Sequence, residues 1–286
     1  MSPEAQDALQ QLHAVLSAKH YSPRTIRNYM QEMRFIFAHY PDLLPGSIIG
    51  KHIISYINFI INEHGVGREK CHQVAQACSF FFKQVMPSPF VIPSQFYPRK
   101  ENKLPQVFSI EQIKQLVSVI TNLKHRVIIS LFYGTGLRMN ELVTVKIVDI
   151  DSKAYQVKVT GKGSKDRFTI LPKQLLNDLR KYYLQHKPQT YLFEGQTKGK
   201  PMHCRSIQHF VQRYVTLIGL GGKDYSAHTL RHSFATHLLD SGTDIHTIKE
   251  LLGHSSIATT MVYLHLQQSK RAGLISPFDN LENDDK

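Results

Sequence analysis

Apolar residues recur along the first ninety positions at helical spacing. Ile26, Met30, Met33 and Phe37 fall three or four apart, which puts them on one helix face. Ser22-Pro23 opens that helix, with serine as N-cap and proline at the first helical position, where a missing N–H costs nothing. Pro41 stops it. Similar patterns predict helices over 48–64 and 68–86. Ile53, Tyr56, Ile57 and Ile60 mark one buried face, and Cys78, Phe81 and Phe82 another.

The pattern then breaks. Pro87, Pro89, Pro93 and Pro98 crowd together, followed by Arg99-Lys100-Glu101-Asn102-Lys103 and Pro105. Repeated proline removes donors and disfavours helix, so this stretch reads as a linker. Its basic cluster either lies along a phosphate backbone or is simply solvated. The expected division is a helical domain over 1–90, a linker over 91–106, a second domain over 107–266 and a polar tail over 267–286.

In the second domain, Ser109-Ile110-Glu111-Gln112 is a capping box. Helices are expected to about residue 133. Gly134-Thr135-Gly136 is expected to break the chain, and helix to resume over 137–146. Tyr155, Val157 and Val159 alternate with Gln156 and Lys158, which predicts a strand. Residues 161–166 form a glycine-rich turn, and 167–171 return as the partner strand. Further helices are expected over 172–186, 206–217, 229–240 and 245–252, with Asp244 capping the last and Gly253 ending it. The fold class is mainly α with a small β-sheet (α+β).

Charge narrows the function. The 286 residues carry 35 Lys+Arg against 22 Asp+Glu, a formal net charge of +13. Such an excess points to a polyanion, either nucleic acid or an anionic membrane surface. Residues 1–90 hold 8 basic and 6 acidic side chains, whereas 91–266 hold 24 and 12. The positive field therefore sits where the motifs below fall. No lysine-rich amphipathic block, signal segment or long apolar run points to a membrane. Three cysteines at Cys71, Cys78 and Cys204 fit no zinc spacing and suggest a reducing, cytoplasmic compartment.

Four stretches carry groups able to do chemistry. In Gly134-Thr135-Gly136-Leu137-Arg138-Met139-Asn140-Glu141, the glycines allow close backbone approach and Arg138 follows at a helix start. Arginine can hold a phosphate through two parallel hydrogen bonds, and Glu141, one turn on, can hold the guanidinium. The turn Gly161-Lys162-Gly163-Ser164-Lys165-Asp166-Arg167 is a basic fingertip without P-loop spacing. In His228-Thr229-Leu230-Arg231-His232, His228 and Arg231 share a helix face. A zinc site there lacks the glutamate of H-E-x-x-H, and Arg231 would repel the cation. Finally, His254 follows a helix stop, and Tyr263 ends a run of small and hydroxyl residues.

Each stretch alone has a bland structural reading. Together, two arginines, a lysine and two histidines suit a phosphoryl-transfer transition state, whose charge grows on non-bridging oxygens. No carboxylate cluster offers a Mg²⁺ site, so fixed cations stand in the place of metal. A tyrosine then serves as covalent nucleophile. Neither cofactor nor metal is expected.

The order and spacing of these motifs resemble the tyrosine recombinase (phage integrase) family, including Xer-type recombinases and integron and transposon integrases. The resemblance implies an enzyme that cleaves and rejoins DNA through a 3′-phosphotyrosyl link and a Holliday junction. Arg138 and Arg231 would clamp the scissile phosphate, and Lys162 would protonate the leaving 5′-oxygen. His228 would be the acid/base partner near Tyr263, His254 would hydrogen-bond a phosphate oxygen, and Tyr263 would be the nucleophile. Glu141 would support them. Tyr21-Ser22-Pro23-Arg24-Thr25-Ile26-Arg27 resembles the opening of the family's N-terminal DNA-clamping domain. DNA contacts are expected from Arg24, Arg27, Arg99, Lys100, Lys103, Lys165 and Arg167. The implied fold is a four-helix SAM-like domain and a catalytic domain, closing as a C-shaped clamp on double-stranded DNA. A homotetramer on DNA is also implied, with 267–278 docking onto a neighbour. The implied setting is the bacterial cytoplasm, close to the nucleoid. Two rivals stay open on these residues: a type IB topoisomerase and a DNA-binding regulator without activity.

Overall fold

The computed structural model describes residues 1–87, 105–161, 166–222 and 224–266, with backbone alone at 265–266. The chain divides into two compact units, Met1–Asn102 and Lys103–Lys286. The expected linker contacts Arg99, Lys100 and Lys103, the fingertip residues Lys162 and Lys165, and the tail 267–286 all lie outside the described residues.

The first unit holds helices α1 (Pro3–Ala18), α2 (Pro23–His39), α3 (Gly50–His64) and α4 (Arg68–Gln84). Ser22 Oγ accepts the Thr25 N–H at 3.1 Å, as its position before proline predicts. The apolar pattern does not single out α1, yet Ser2-Pro3 repeats the same start signal, and Ser2 Oγ accepts the Ala5 N–H at 3.2 Å. Leu12 and Leu16 of α1 pack with Met33, Ile36, Ile53, Phe81 and Phe82 in one core. Each such side chain contributes about 1.5–3 kcal/mol by leaving water. Among them lies a carboxylate. Glu32 is 1% exposed, and it accepts from Lys70 Nζ at 2.6 and 2.7 Å and from Gln73 Nε2 at 2.7 Å. Arg24 and Arg27 are exposed on α2.

The second unit begins with α5 (Ile110–Ser118), α6 (Leu123–Thr135) and α7 (Met139–Thr144), then β1 (Ile150–Asp151), β2 (Gln156–Thr160) and β3 (Asp166–Ile170). It continues with α8 (Leu175–His186), α9 (Cys204–Leu217), α10 (Ala227–Asp240), α11 (Ile245–Leu252) and α12 (Ile257–Met261), and a 3₁₀ turn follows over Val262–Leu266. The Ser109 capping box forms as expected, through Gln112 N–H to Ser109 Oγ and Ser109 N–H to Gln112 Oε1. The strands pair antiparallel in the order β1-β2-β3, with Val157 opposite Thr169. Val157, Val159 and Thr169 face inward, and Thr169 Oγ1 donates to the Thr135 carbonyl at 2.7 Å. That bond ties the hairpin to the end of α6. Strand β1 escapes the sequence pattern because two residues cannot show an alternation.

One expected break is not a break. Gly134 lies inside α6, which ends only at Gly136. A Cβ on Gly134 would stand 2.3 Å from Pro172 Cγ, so this glycine serves close packing. Gly136 makes the stop, at φ +61°, and a Cβ there would strike Phe234. The larger core gathers Val127, Phe132, Leu142, Val157, Phe193 and Leu230. A smaller one joins Phe234, Leu239, Ile248, Leu252 and Tyr263 beneath the site.

Candidate active site

Arg138 is the N-cap residue of α7, and its backbone N–H donates to Glu141 Oε2 at 2.7 Å. The same carboxylate accepts the Arg138 guanidinium at 2.8 Å through Oε1. Arg167 approaches it from β3 as a fork, with Nη1 to Oε1 at 2.9 Å and Nη2 to Oε2 at 2.8 Å. Arg231 Nη1 stands 3.9 Å from Oε2. One carboxylate therefore centres three guanidiniums. Burial alone would raise its pKa, but hydrogen bonds from Arg167 and Arg138 outweigh that and hold it at about 2.

The three arginines share a second anchor. Arg167 Nε donates to the Leu251 carbonyl at 3.0 Å, Arg231 Nη2 to Leu252 at 2.8 Å, and Arg138 Nη2 to Gly253 at 2.7 Å. These are consecutive carbonyls at the C-terminal end of α11, which would otherwise lack intrahelical partners and which carry the negative end of the helix dipole. Arg231 also donates to the Gly136 carbonyl. It is 4% exposed, and burial followed by repulsion from Arg138 lowers its pKa to about 10, so it stays charged. The Arg138 side chain is 42% exposed.

His254 completes this side. Its Nε2 lies 3.0 Å from Arg231 Nη2, and its Nδ1 lies 2.9 Å from Thr260 Oγ1. A guanidinium only donates, so Nε2 is the acceptor and Nδ1 carries the proton toward threonine. Burial, then Arg231, Arg138 and Arg167, push the imidazole pKa down to about 4, so the ring is neutral at pH 7.

Tyr263 lies in the 3₁₀ turn after α12 and is 3% exposed. Its ring lies parallel to that of His254, with centroids 6.5 Å apart. Burial raises the phenol pKa, while Arg231 and Arg138 act against that rise. The expected partner of this hydroxyl was His228, but the structure brings a different histidine to it. His232 Nδ1 lies 3.1 Å from Tyr263 Oη, whereas His228 sits one turn earlier on α10, its ring 6.3 Å from that of His232. His228 is solvent-accessible, and its pKa is lowered by partial desolvation, then by Arg231 and Arg138.

Among the described candidates, Arg138, Glu141, Arg231, His254 and Tyr263 come together. Arg167 belongs with them rather than on a DNA-facing surface: its side chain is 13% exposed and every nitrogen is committed to Glu141 or Leu251. Sequence reasoning passed over His232 and Thr260. The helical spacing of His232 from His228 was visible, but its meeting with Tyr263 depends on a fold over thirty-one positions. A cleft of about 1260 Å³ opens beside Arg138, Thr160, Gly161, Arg167, Lys249 and His254. Among the described residues, no group of three or more His, Cys, Asp or Glu is placed to hold a metal, and no helix is long and apolar enough to cross a membrane.

Comparison with known proteins accords with this geometry. The phage integrase family model matches residues 106–270, and that of the phage integrase N-terminal SAM-like domain matches 8–90. The tyrosine recombinase XerA of Thermococcus kodakarensis is 31% identical over 277 residues, covering 91% of each chain. A crystal structure of XerA recombinase superposes with a TM-score of 0.55 at 26% identity, covering 94% of this chain and 97% of that one. XerH site-specific recombinase, bound to its palindromic difH substrate after cleavage, shares the fold with a TM-score of 0.74 at 21% identity, over 89% of this chain and 80% of its own. With a family match over more than half its length, the chain belongs to the phage integrase family of tyrosine-type site-specific recombinases.

Proposed function

We propose that this protein cuts and rejoins double-stranded DNA at specific sites, with Tyr263 as nucleophile and no metal or ATP. The observation that carries the reading is the grouping of two guanidiniums and a neutral imidazole beside a buried phenol. Arg138 and Arg231 hold the non-bridging oxygens of the scissile phosphate, where charge develops. With the phosphate bound, His254 exchanges its Nε2 contact with Arg231 for a hydrogen bond to the same oxygens, which requires the proton to sit on Nε2. Glu141 keeps Arg138 extended toward the cleft. Tyr263 Oη attacks phosphorus, the 3′-phosphate becomes bound to tyrosine, and Lys162 protonates the departing 5′-oxygen. His228 serves acid/base chemistry at the start of α10. Because the phosphodiester is conserved as a phosphotyrosine, a 5′-hydroxyl can reseal the strand without an energy source.

The wider reading has both units contacting the duplex. Arg24 and Arg27 contribute from α2; Arg99, Lys100, Lys103 and Lys165 contribute from the segments between described elements. Four copies pair two DNA sites and exchange strands through a Holliday junction, in a bacterial cytoplasm and on nucleoid or mobile-element DNA.

A nicked suicide duplex tests this, its core being the sequence the protein retains from a randomised pool. The expected result is a covalent protein–DNA adduct that forms in EDTA and disappears in Tyr263→Phe. An adduct that survives that substitution moves the nucleophile elsewhere, and an adduct that needs added metal overturns the mechanism.

A further inference from the structure

His254 has to act in two opposite ways through one nitrogen. In the free protein its Nε2 accepts from Arg231 Nη2 at 3.0 Å, so the ring proton sits on Nδ1. Facing a phosphate oxygen, the same Nε2 must donate. We propose that Thr260 is the positioning residue that permits this exchange. Its hydroxyl accepts the Nδ1 proton in the free protein, then turns to donate to Nδ1 once Nε2–H faces the phosphate. The inference rests on His254 being a phosphate ligand, as read above.

The side chain is aimed for this purpose. Thr260 Oγ1 lies 2.9 Å from His254 Nδ1, and the residue is fully buried on α12. Other helical hydroxyls in this protein behave differently. Thr135, Thr144, Thr216 and Ser233 each donate to the carbonyl four residues earlier, a common way for a helix to satisfy such a group. Thr260 directs its hydroxyl to the imidazole instead, its partner among the described residues. Burial denies that hydroxyl a solvent partner, so a lost contact is not made good by water.

A hydroxyl suits the task where other groups fail. Burial, then Arg231, Arg138 and Arg167, keep the ring neutral, so it has one N–H and one bare nitrogen. What one nitrogen meets decides where the proton sits. A carbonyl at Nδ1 would hold the proton there and leave Nε2 unable to donate. A backbone N–H at Nδ1 would hold the proton on Nε2 and turn it against Arg231. A hydroxyl serves either tautomer, because it rotates without moving a heavy atom. The protons balance: Nε2 gains one from cleft water, Nδ1 releases one to water, and Thr260 keeps its own.

Nitrogen-15 NMR of the histidine rings reads the tautomer, on full-length Tyr263→Phe free and bound to the nicked duplex. His254→Asn identifies the signals by their loss. The expected result is a protonated Nδ1 in the free protein and a protonated Nε2 on the duplex. A ring that keeps its proton on Nδ1 on the duplex, or carries protons on both nitrogens there, overturns the proposal. Single-turnover adduct formation, with Tyr263 restored, reads the consequence. Thr260→Val keeps the shape without the hydroxyl and should cleave roughly tenfold more slowly, the worth of one hydrogen bond, with duplex affinity unchanged. Thr260→Ser should recover most of the rate. In a His254→Asn background the valine substitution should add nothing, because threonine acts through the ring, whereas a packing defect would add in full. A wild-type rate in Thr260→Val, a serine variant as slow as valine, or an additive loss in the double variant overturns the inference. Should the valine variant fail to fold, the spectra and the serine variant still decide it. His254→Asn cleaving at the wild-type rate removes His254 from the reaction and this inference with it. No adduct in wild type overturns the reading of the whole site.

Discussion

Glu32 in the first unit and Glu141 in the second are both sheltered carboxylates held by cations, and the two are built to different ends. Glu32 in the first unit meets one lysine and one amide, so the charge it carries is answered one for one. Glu141 in the second meets Arg138, Arg167 and, at a longer distance, Arg231. Three guanidiniums against one carboxylate leave a surplus of about two positive charges in a sheltered place. A surplus of this kind opposes folding, because like charges repel more strongly where water is excluded. It makes sense as a site for a polyanion, whereas Glu32 and Lys70 need nothing beyond the fold. A buried ion pair is thus informative less by its presence than by its imbalance.

The contrast can be broken most directly at Glu141. Glu141→Gln leaves three guanidiniums without their counter-charge and should cost about 3–5 kcal/mol of stability, read by urea unfolding. Unfolding at the wild-type midpoint would mean that Glu141 is no more than a spacer. Next in size is Arg231→Ala, expected to slow cleavage by ~10²–10³ while the protein still binds duplex. Arg231→Lys should not restore the rate, since an ammonium cannot match the planar fork. Full activity in either variant would remove Arg231 from the reaction. Glu32→Gln should be milder, at roughly 1–3 kcal/mol, because one hydrogen-bonded charge is lost from a balanced pair. Hydrogen exchange should show the loosening confined to α2 and α4, with cleavage unchanged. A change in cleavage would join the two centres.

A further effect is in pH. His232 and His254 have folded pKa values near 4, below their ordinary 6.5. The folded state binds fewer protons than the unfolded one, so the stability they contribute is present above pH 6.5 and is lost as pH falls toward 4. Glu141, held at about 2 against an ordinary 4.5, adds a further loss below pH 4.5. Unfolding of the second unit should therefore come at lower urea at pH 5 than at pH 7, and His254→Asn should flatten that difference. An unchanged pH slope in the variant would mean His254 is already protonated in the folded protein.

Much of this was legible in the chain because it rests on local rules. The Ser22, Ser109 and Asp244 caps and the Gly253 stop act within four residues, and all form. The grouping of Arg138, Arg231, His254 and Tyr263 was legible only through the register of separate motifs. What stayed hidden depends on distant partners. Gly134 looked like a break because nothing nearby announces Pro172 at its side. Arg167 looked like surface charge in a basic turn, whereas its pairing depends on α7 and α11 arriving beside β3. His232 differs from His228 by one turn, and a pattern of spacings cannot say which of the two the tyrosine will meet.

The end of α11 offers one more consequence. Leu251, Leu252 and Gly253 each present a carbonyl to a different arginine, from β3, α10 and α7 in turn. Three strands of distant sequence are thereby gauged against a single helix turn, as three rods are set by one jig. Their guanidiniums cannot drift independently: a shift of that turn carries all three together, and a shift of one arm is resisted by the other two. The left-handed Gly253 that closes the turn is therefore a tolerance-setting part for three arginines, the most distant of them 115 positions away.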